Sequence, residues 1–299
     1  MNHSATPTTA VLLHGLCSTP DELKPVENAL RAAGHRVLAL SVPGYSFDAA
    51  LFTQRATLHA QWLAHVAGVV RQQQALGQRV VLVGLSAGAA LALGTAMQCV
   101  GAVHGLVLMS TTLQFDGWAV PRHHKLLPLA LYTPLGRFWR YREQPPYGVK
   151  NVRVRRWIER ELATRRVSSA GAAVIGVPHL REHDRLRRAV RRMLDRFDCP
   201  PVLVLHALED EVASPANVVL LQRGLRTPSL RAVLLPNSHH MITIDNDRLQ
   251  VVKETLCFVD GVAAAPDTTI AAVLPAPARR ESLLTMTAAG ETTHGHAHL

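Results

Sequence analysis

The chain has 299 residues, of which 48% are hydrophobic, 18% charged and 5% aromatic, a balance too apolar and too weakly charged for a disordered protein. A length of this order supports one large α/β domain or two ordinary ones, each able to bury roughly three-quarters of the surface an unfolded chain exposes. The formal net charge of +10 is confined to one place: residues 116–198 hold 19 Lys and Arg against 8 Asp and Glu, and the remainder holds 13 against 14.

No Lys or Arg precedes the first apolar run at residues 10–13, and that run is far shorter than a secretory h-region, so a cytoplasmic protein is expected. The run reads as a buried strand, followed by a helix over 21–33 and a second strand over 37–40. Leu58, Trp62, Leu63, Val66 and Val69 then recur at helical spacing, which predicts a helix over 58–76. From Val80 to Phe115 there is no charged residue, a stretch longer than the roughly 20 residues of a membrane-spanning helix. Gly84, Gly88, Gly94, Gly101 and Gly105 divide it into strand 80–83, a small-residue helix over about 87–98 and strand 106–109, the pattern of a parallel sheet buried on both faces.

The basic segment follows. Val154, Trp157, Ile158 and Leu162 share one helical face, and Leu186, Ala189, Val190, Met193, Leu194 and Phe197 share another. We read residues 112–198 as a helical cap inserted into a core formed by 1–111 and 199–261. Its charge is read first as solvated helix faces, and second as attraction to anionic lipid or to an acidic substrate. Strands over 202–205 and 232–235 close the core, so the alternation specifies a mostly parallel sheet flanked by helices. Residues 262–299, rich in Ala, Thr and Pro, read as a disordered tail. Its His294, His296 and His298 have chelating spacing but no supporting shell, so no functional metal is expected there, and no cofactor is expected elsewhere. Cys17, Cys99, Cys199 and Cys257 are too far apart for a metal or redox pair and read as isolated thiols in a reducing compartment.

The chemistry begins at Gly84-Leu85-Ser86-Ala87-Gly88, a G-x-S-x-G pattern between a strand and an Ala-rich helix. A serine at such a turn adopts a crowded backbone that projects its hydroxyl, and the flanking glycines let neighbouring backbone pass. Ser86 then needs a base. Among 16 histidines, His240 lies just past the strand ending at Leu235, where open parallel sheets place their sites, with His239 as its rival. His14, His104 and His206 are read as parts of other motifs or of the packing. The base needs a carboxylate to set its tautomer. Glu209, Asp210 and Glu211 all follow a strand and all are candidates, Asp210 being favoured; the order Ser86, Asp210, His240 is that of one known triad architecture. Backbone amides of Leu16, in His14-Gly15-Leu16, and of Ala87 are the expected oxyanion donors.

These residues resemble the α/β-hydrolase superfamily and, within it, small bacterial carboxylesterases related to monoacylglycerol lipases. The resemblance spans about residues 10–260 and rests on Leu12-Leu-His-Gly-Leu, Val83-Gly-Leu-Ser-Ala-Gly, Glu209-Asp-Glu-Val with Ser214-Pro, and Ser238-His-His-Met-Ile-Thr-Ile-Asp. It implies Asp210 as the carboxylate, His240 as the base and a helical cap after the strand ending at Met109. Two departures stand out. The first strand of the sheet begins near residue 10, so the antiparallel strands that usually open the fold are expected to be shortened or missing, with a sheet edge exposed to dimer formation, and His239 stands where the family commonly has glycine.

The expectation is a serine carboxylesterase for short- to medium-chain esters, monoacylglycerols among them, with Trp139, Trp157 and Ile158 lining the acyl pocket. Acyl transfer or amide hydrolysis on the same fold is the alternative enzyme. A non-catalytic protein binding anionic lipid or nucleic acid through the basic segment is the rival from another class. An aromatic content of 5% is low for the base stacking that single-strand binding favours, so no nucleic acid is expected as partner. The chain is expected to act on a small-molecule ester as monomer or homodimer, with weak anionic membrane contact through the basic segment.

Overall fold

The protein is described by a computed structural model over residues 7–47, 57–121, 124, 126–134, 136, 139–164, 167–168 and 171–266. The apolar runs become strands β1 (Thr8–Leu13), β2 (Arg36–Ala39), β3 (Arg79–Leu85) and β4 (Gly105–Met109), with α1 (Lys24–Ala32), α2 (His59–Ala75) and α3 (Ala87–Gln98) between them. The predicted helix over 21–33 starts as a 3-10 turn, Pro20–Leu23, because Pro25 has no N–H to give and suits the first turn of α1. The next segment contains α4 (Leu127–Tyr132), β5 (Arg140–Arg142), α5 (Val152–Thr164), β6 (Val167–Ser168), β7 (Gly171–Ala172), β8 (Val174–Gly176) and α6 (Val177–Met193). The chain closes with β9 (Val202–Ala207), α7 (Ala216–Gly224), β10 (Leu230–Leu235) and α8 (Arg248–Ala264). The last helix thus runs three residues into the stretch predicted to be tail, and His294, His296 and His298 lie outside the described residues.

One six-stranded sheet has the order β10-β9-β4-β3-β1-β2, and every pairing in it is parallel. Strand side chains alternate between its two faces. Val11, Leu13, Val80 and Leu82 join one buried cluster with α2, α3, α6 and α7, whereas Ala10, Leu12, Val81, Val83 and Leu85 join a second with α1, α5 and α8. Both faces are therefore dry, which is why the strands read as unbroken apolar runs. The uncharged stretch 80–115 is the centre of this core; among the described residues no helix is long and apolar enough to cross a membrane.

The predicted helix faces are narrower in the fold. On α5, Ile158 is buried with Val154 and Leu162 packed against its cluster, a stripe of four-residue steps, and Trp157, one position round, is 42% exposed. On α6 and the turn after it, Leu186, Val190, Leu194 and Phe197 enter the main core, but Ala189 and Met193 face outward. The short antiparallel pairs β5·β8 and β6·β7 lie in the same segment. The four cysteines are unpaired, Cys17, Cys99 and Cys199 being buried and Cys257 exposed.

Candidate active site

In the sheet order the chain turns from β1 outward to β2 on one side and to β3 on the other, and crevices form beyond the carboxyl ends of strands at such a reversal. Ser86 stands there, directly after β3. Its backbone has φ 57° and ψ −117°, an unfavourable region for a residue with a Cβ, and its amide is held by Met109 O at 2.8 Å. The turn is possible because its glycines leave room: a Cβ on Gly84 would lie 2.3 Å from Gly88 O, and one on Gly88 would lie 2.2 Å from Leu13 O.

His240 follows β10 and Asp210 follows β9. His240 Nε2 is 2.8 Å from Ser86 Oγ, and His240 Nδ1 is 2.8 and 3.0 Å from the two oxygens of Asp210. A carboxylate only accepts, so Nδ1 carries a proton toward Asp210 and Nε2 is left facing the serine. Asp210 Oδ1 also accepts the amides of Val212 and Ala213, at 2.8 Å each. Burial alone would raise the Asp210 carboxyl, but His240, then His206 and the Ala213 amide, hold it below the usual aspartate range. For His240, burial works against the cation, yet Asp210, then Glu211 and Glu143, outweigh it and lift the imidazole to about 9.

The rivals are turned elsewhere. His239 Nδ1 is 2.9 Å from the Glu209 carbonyl, and its ring meets Trp118 edge to face. Glu209 is exposed and pairs with Lys150, whereas buried Glu211 accepts the His240 backbone amide at 3.0 Å.

Leu16 and Ala87 lie at the ends of β1 and β3, and neither amide donates to a protein acceptor among the described residues. The loop carrying Leu16 is tied down on both sides. Buried His14 bonds to Gly15 O and Ser46 Oγ, each at 2.7 Å, and burial holds it neutral, near 4. Gly15 N–H donates to Glu22 Oε2 at 2.7 Å, and Thr243, from the His240 loop, donates to Glu22 O at 2.6 Å. Burial raises Glu22 to about 7 against the lowering effect of its Gly15 donor; burial and Glu211 likewise raise Glu143 to about 7.

Trp139 and Trp157 are exposed, and Ile158 is fully buried in the second core cluster; none of them bonds to Ser86, His240 or Asp210. Sequence reasoning also passed over the turn after β4, where Ser110 Oγ donates to His240 O at 2.7 Å and Thr112 Oγ1 is 3.2 Å from Ser86 Oγ. A signal existed: Ser110-Thr111-Thr112 is a hydroxyl run directly past a strand, on the edge where Ser86 was placed. No cluster of His, Cys, Asp and Glu suited to a metal ion occurs among the described residues.

Comparison with known proteins extends this geometry. The chain is 26% identical over 252 residues to a thermostable monoacylglycerol lipase of Bacillus sp. (strain H-257), covering 84% of this chain and 90% of that protein. Among solved structures it is similar to one of the metagenome-derived lipolytic enzymes LipS and LipT, with TM-score 0.69, 22% identity and coverage of 86% of this chain and 95% of that one. It is also similar to a Paleococcus ferrophilus monoacylglycerol lipase, with TM-score 0.68, 18% identity and coverage of 87% and 96%. The profile of the alpha/beta hydrolase family matches residues 10–254, which takes in every strand of the main sheet but the first residues of β1, and the chain belongs to that family.

Proposed function

We propose that the protein is a serine carboxylesterase acting on short- to medium-chain carboxylic esters, monoacylglycerols among them. The observation that carries this reading is the line of contacts from Asp210 through His240 to Ser86, each at 2.8 Å. Ser86 Oγ attacks the ester carbonyl while its proton passes to His240 Nε2, and Asp210 stabilises the imidazolium. The carbonyl oxygen gains the negative charge, and the free amides of Leu16 and Ala87 are the donors for it. His240 then protonates the departing alcohol. Water attacks the acyl enzyme with His240 as base, and Ser86 is regenerated. The names of the Bacillus and Paleococcus proteins support a monoacylglycerol as the substrate class.

The test is turnover of p-nitrophenyl butyrate and of a monoacylglycerol chain-length series by the parent and by Ser86→Ala. A fall in kcat on the order of 10⁴-fold is expected, together with loss of fluorophosphonate labelling. Unchanged turnover would remove the nucleophile from the scheme.

We also infer a weak contact with anionic membrane surfaces. Trp118, Trp139 and Trp157 are exposed, and all three lie in the segment that carries the excess of arginine, the pairing that suits a lipid interface.

A further inference from the structure

We propose that Thr112 is a further catalytic residue, whose hydroxyl donates a second hydrogen bond to Ser86 Oγ as that oxygen gives up its proton. The inference rests on the reading of Ser86 as nucleophile.

Its basis is the turn that ends β4. Ser110 has φ 45°, a conformation costly for a residue with a side chain, and it is held there by its surroundings. Ser110 N–H donates to Leu205 O at 2.9 Å, and Ser110 Oγ donates to the backbone carbonyl of His240 at 2.7 Å. The strained residue thus fixes the position of the base and also aims the residue two places on. Thr112 is 1% exposed, and its Oγ1 lies 3.2 Å from Ser110 O and 3.2 Å from Ser86 Oγ. Only protein acceptors therefore compete for its proton, and the branch at Cβ limits its rotamers.

A threonine hydroxyl has one proton to share between these two oxygens. In the resting enzyme a carbonyl is the better acceptor, so the proton rests on Ser110 O and leaves the nucleophile unencumbered. On attack, the Ser86 proton moves to His240 Nε2, the Oγ–carbon bond forms, and the carbonyl electron pair moves to the oxyanion. While Ser86 Oγ carries partial negative charge it outcompetes Ser110 O, and Thr112 turns toward it about the Cβ–Oγ bond without transferring its own proton. In deacylation the Oγ–carbon bond breaks, charge returns to the same oxygen, His240 gives the proton back, and Thr112 is again in place. A bond that strengthens only in the transition state lowers the barrier and leaves substrate binding alone.

Thr112→Val keeps the shape and removes the hydroxyl; Thr112→Ser keeps the hydroxyl and removes the methyl. For Thr112→Val we expect kcat and the rate of fluorophosphonate labelling to fall about tenfold with KM within about twofold, and for Thr112→Ser we expect kcat within about threefold of the parent. Thr112→Ala, which also lacks the hydroxyl, provides the same measurement if the valine variant does not fold, with thermal unfolding as the check. A valine or alanine variant with kcat within twofold of the parent overturns the proposal, as does a serine variant as slow as the valine one. If instead Ser86→Ala still turns over substrate, the nucleophile assignment itself has failed and Thr112 falls with it.

Discussion

His240 is the residue whose surroundings are most at odds with its proposed task. A general base must be neutral before it can take a proton, and the carboxylates of Asp210, Glu211 and Glu143 favour its cation, holding it at about 9 against the opposing effect of burial. The neutral fraction grows as pH rises, so kcat/KM is expected to climb through pH 7, reach half its plateau near pH 9 and level off about one pH unit above that, measured with p-nitrophenyl butyrate. Glu211→Gln keeps an acceptor for the His240 amide but removes one charge, and this limb of the profile should move to lower pH. Glu22 makes a complementary case for stability. Burial lifts its carboxyl from 4.5 in the unfolded chain to about 7, so its contribution is complete below pH 4.5 and lost as pH rises through 7. Thermal unfolding of Glu22→Gln should therefore show a shallower decline in Tm between pH 5 and 8 than the parent does. Nothing in the sequence around Pro20-Asp21-Glu22 announces this role, because it depends on a loop seven residues upstream folding back over the carboxylate.

At the scale of elements, β3 and α3 determine most of the site. Ten of the twelve residues of α3 are buried, and their small side chains let the helix approach the sheet closely enough to present Ser86 and the Ala87 amide together. Gly88→Ala would drive a Cβ to 2.2 Å from Leu13 O, a backbone atom that cannot move without shifting β1, and a loss of about 3 kcal/mol is expected by chemical denaturation. The strands and helices of the sheet were legible from apolar runs and helical spacing because each is long enough to show its period. The two- and three-residue strands β5 to β8 have no period to show, and only their partners define them. Trp157 illustrates the same limit in a helix: apolar identity put it on the buried face of α5, yet the four-residue steps of Val154, Ile158 and Leu162 exclude it.

Over the whole molecule, the excess charge is less free than its sum suggests. On α6, Arg185 pairs with Glu182, and Arg187 and Arg188 pair with buried Asp184. What remains exposed supports surface attraction in high dielectric, which salt screens within about 8 Å at physiological ionic strength. Binding to phosphatidylglycerol vesicles is accordingly expected to be weak, to vanish in 0.5 M salt and to be absent with neutral phosphatidylcholine vesicles, as read by co-sedimentation.

The sequence by itself determined the alternating layers, the serine turn and the short set of residues from which a base and a carboxylate must come, because these depend on local periodicity and on chemistry that few side chains can supply. Tertiary structure decided that His240 rather than His239 faces Ser86, that Asp210 rather than its two acidic neighbours meets the imidazole, and that Thr112 reaches the same oxygen. Adjacent residues in a turn point in different directions, and which one meets a partner 26 or 154 positions away depends on how the strand ends are arrayed along one edge of the sheet.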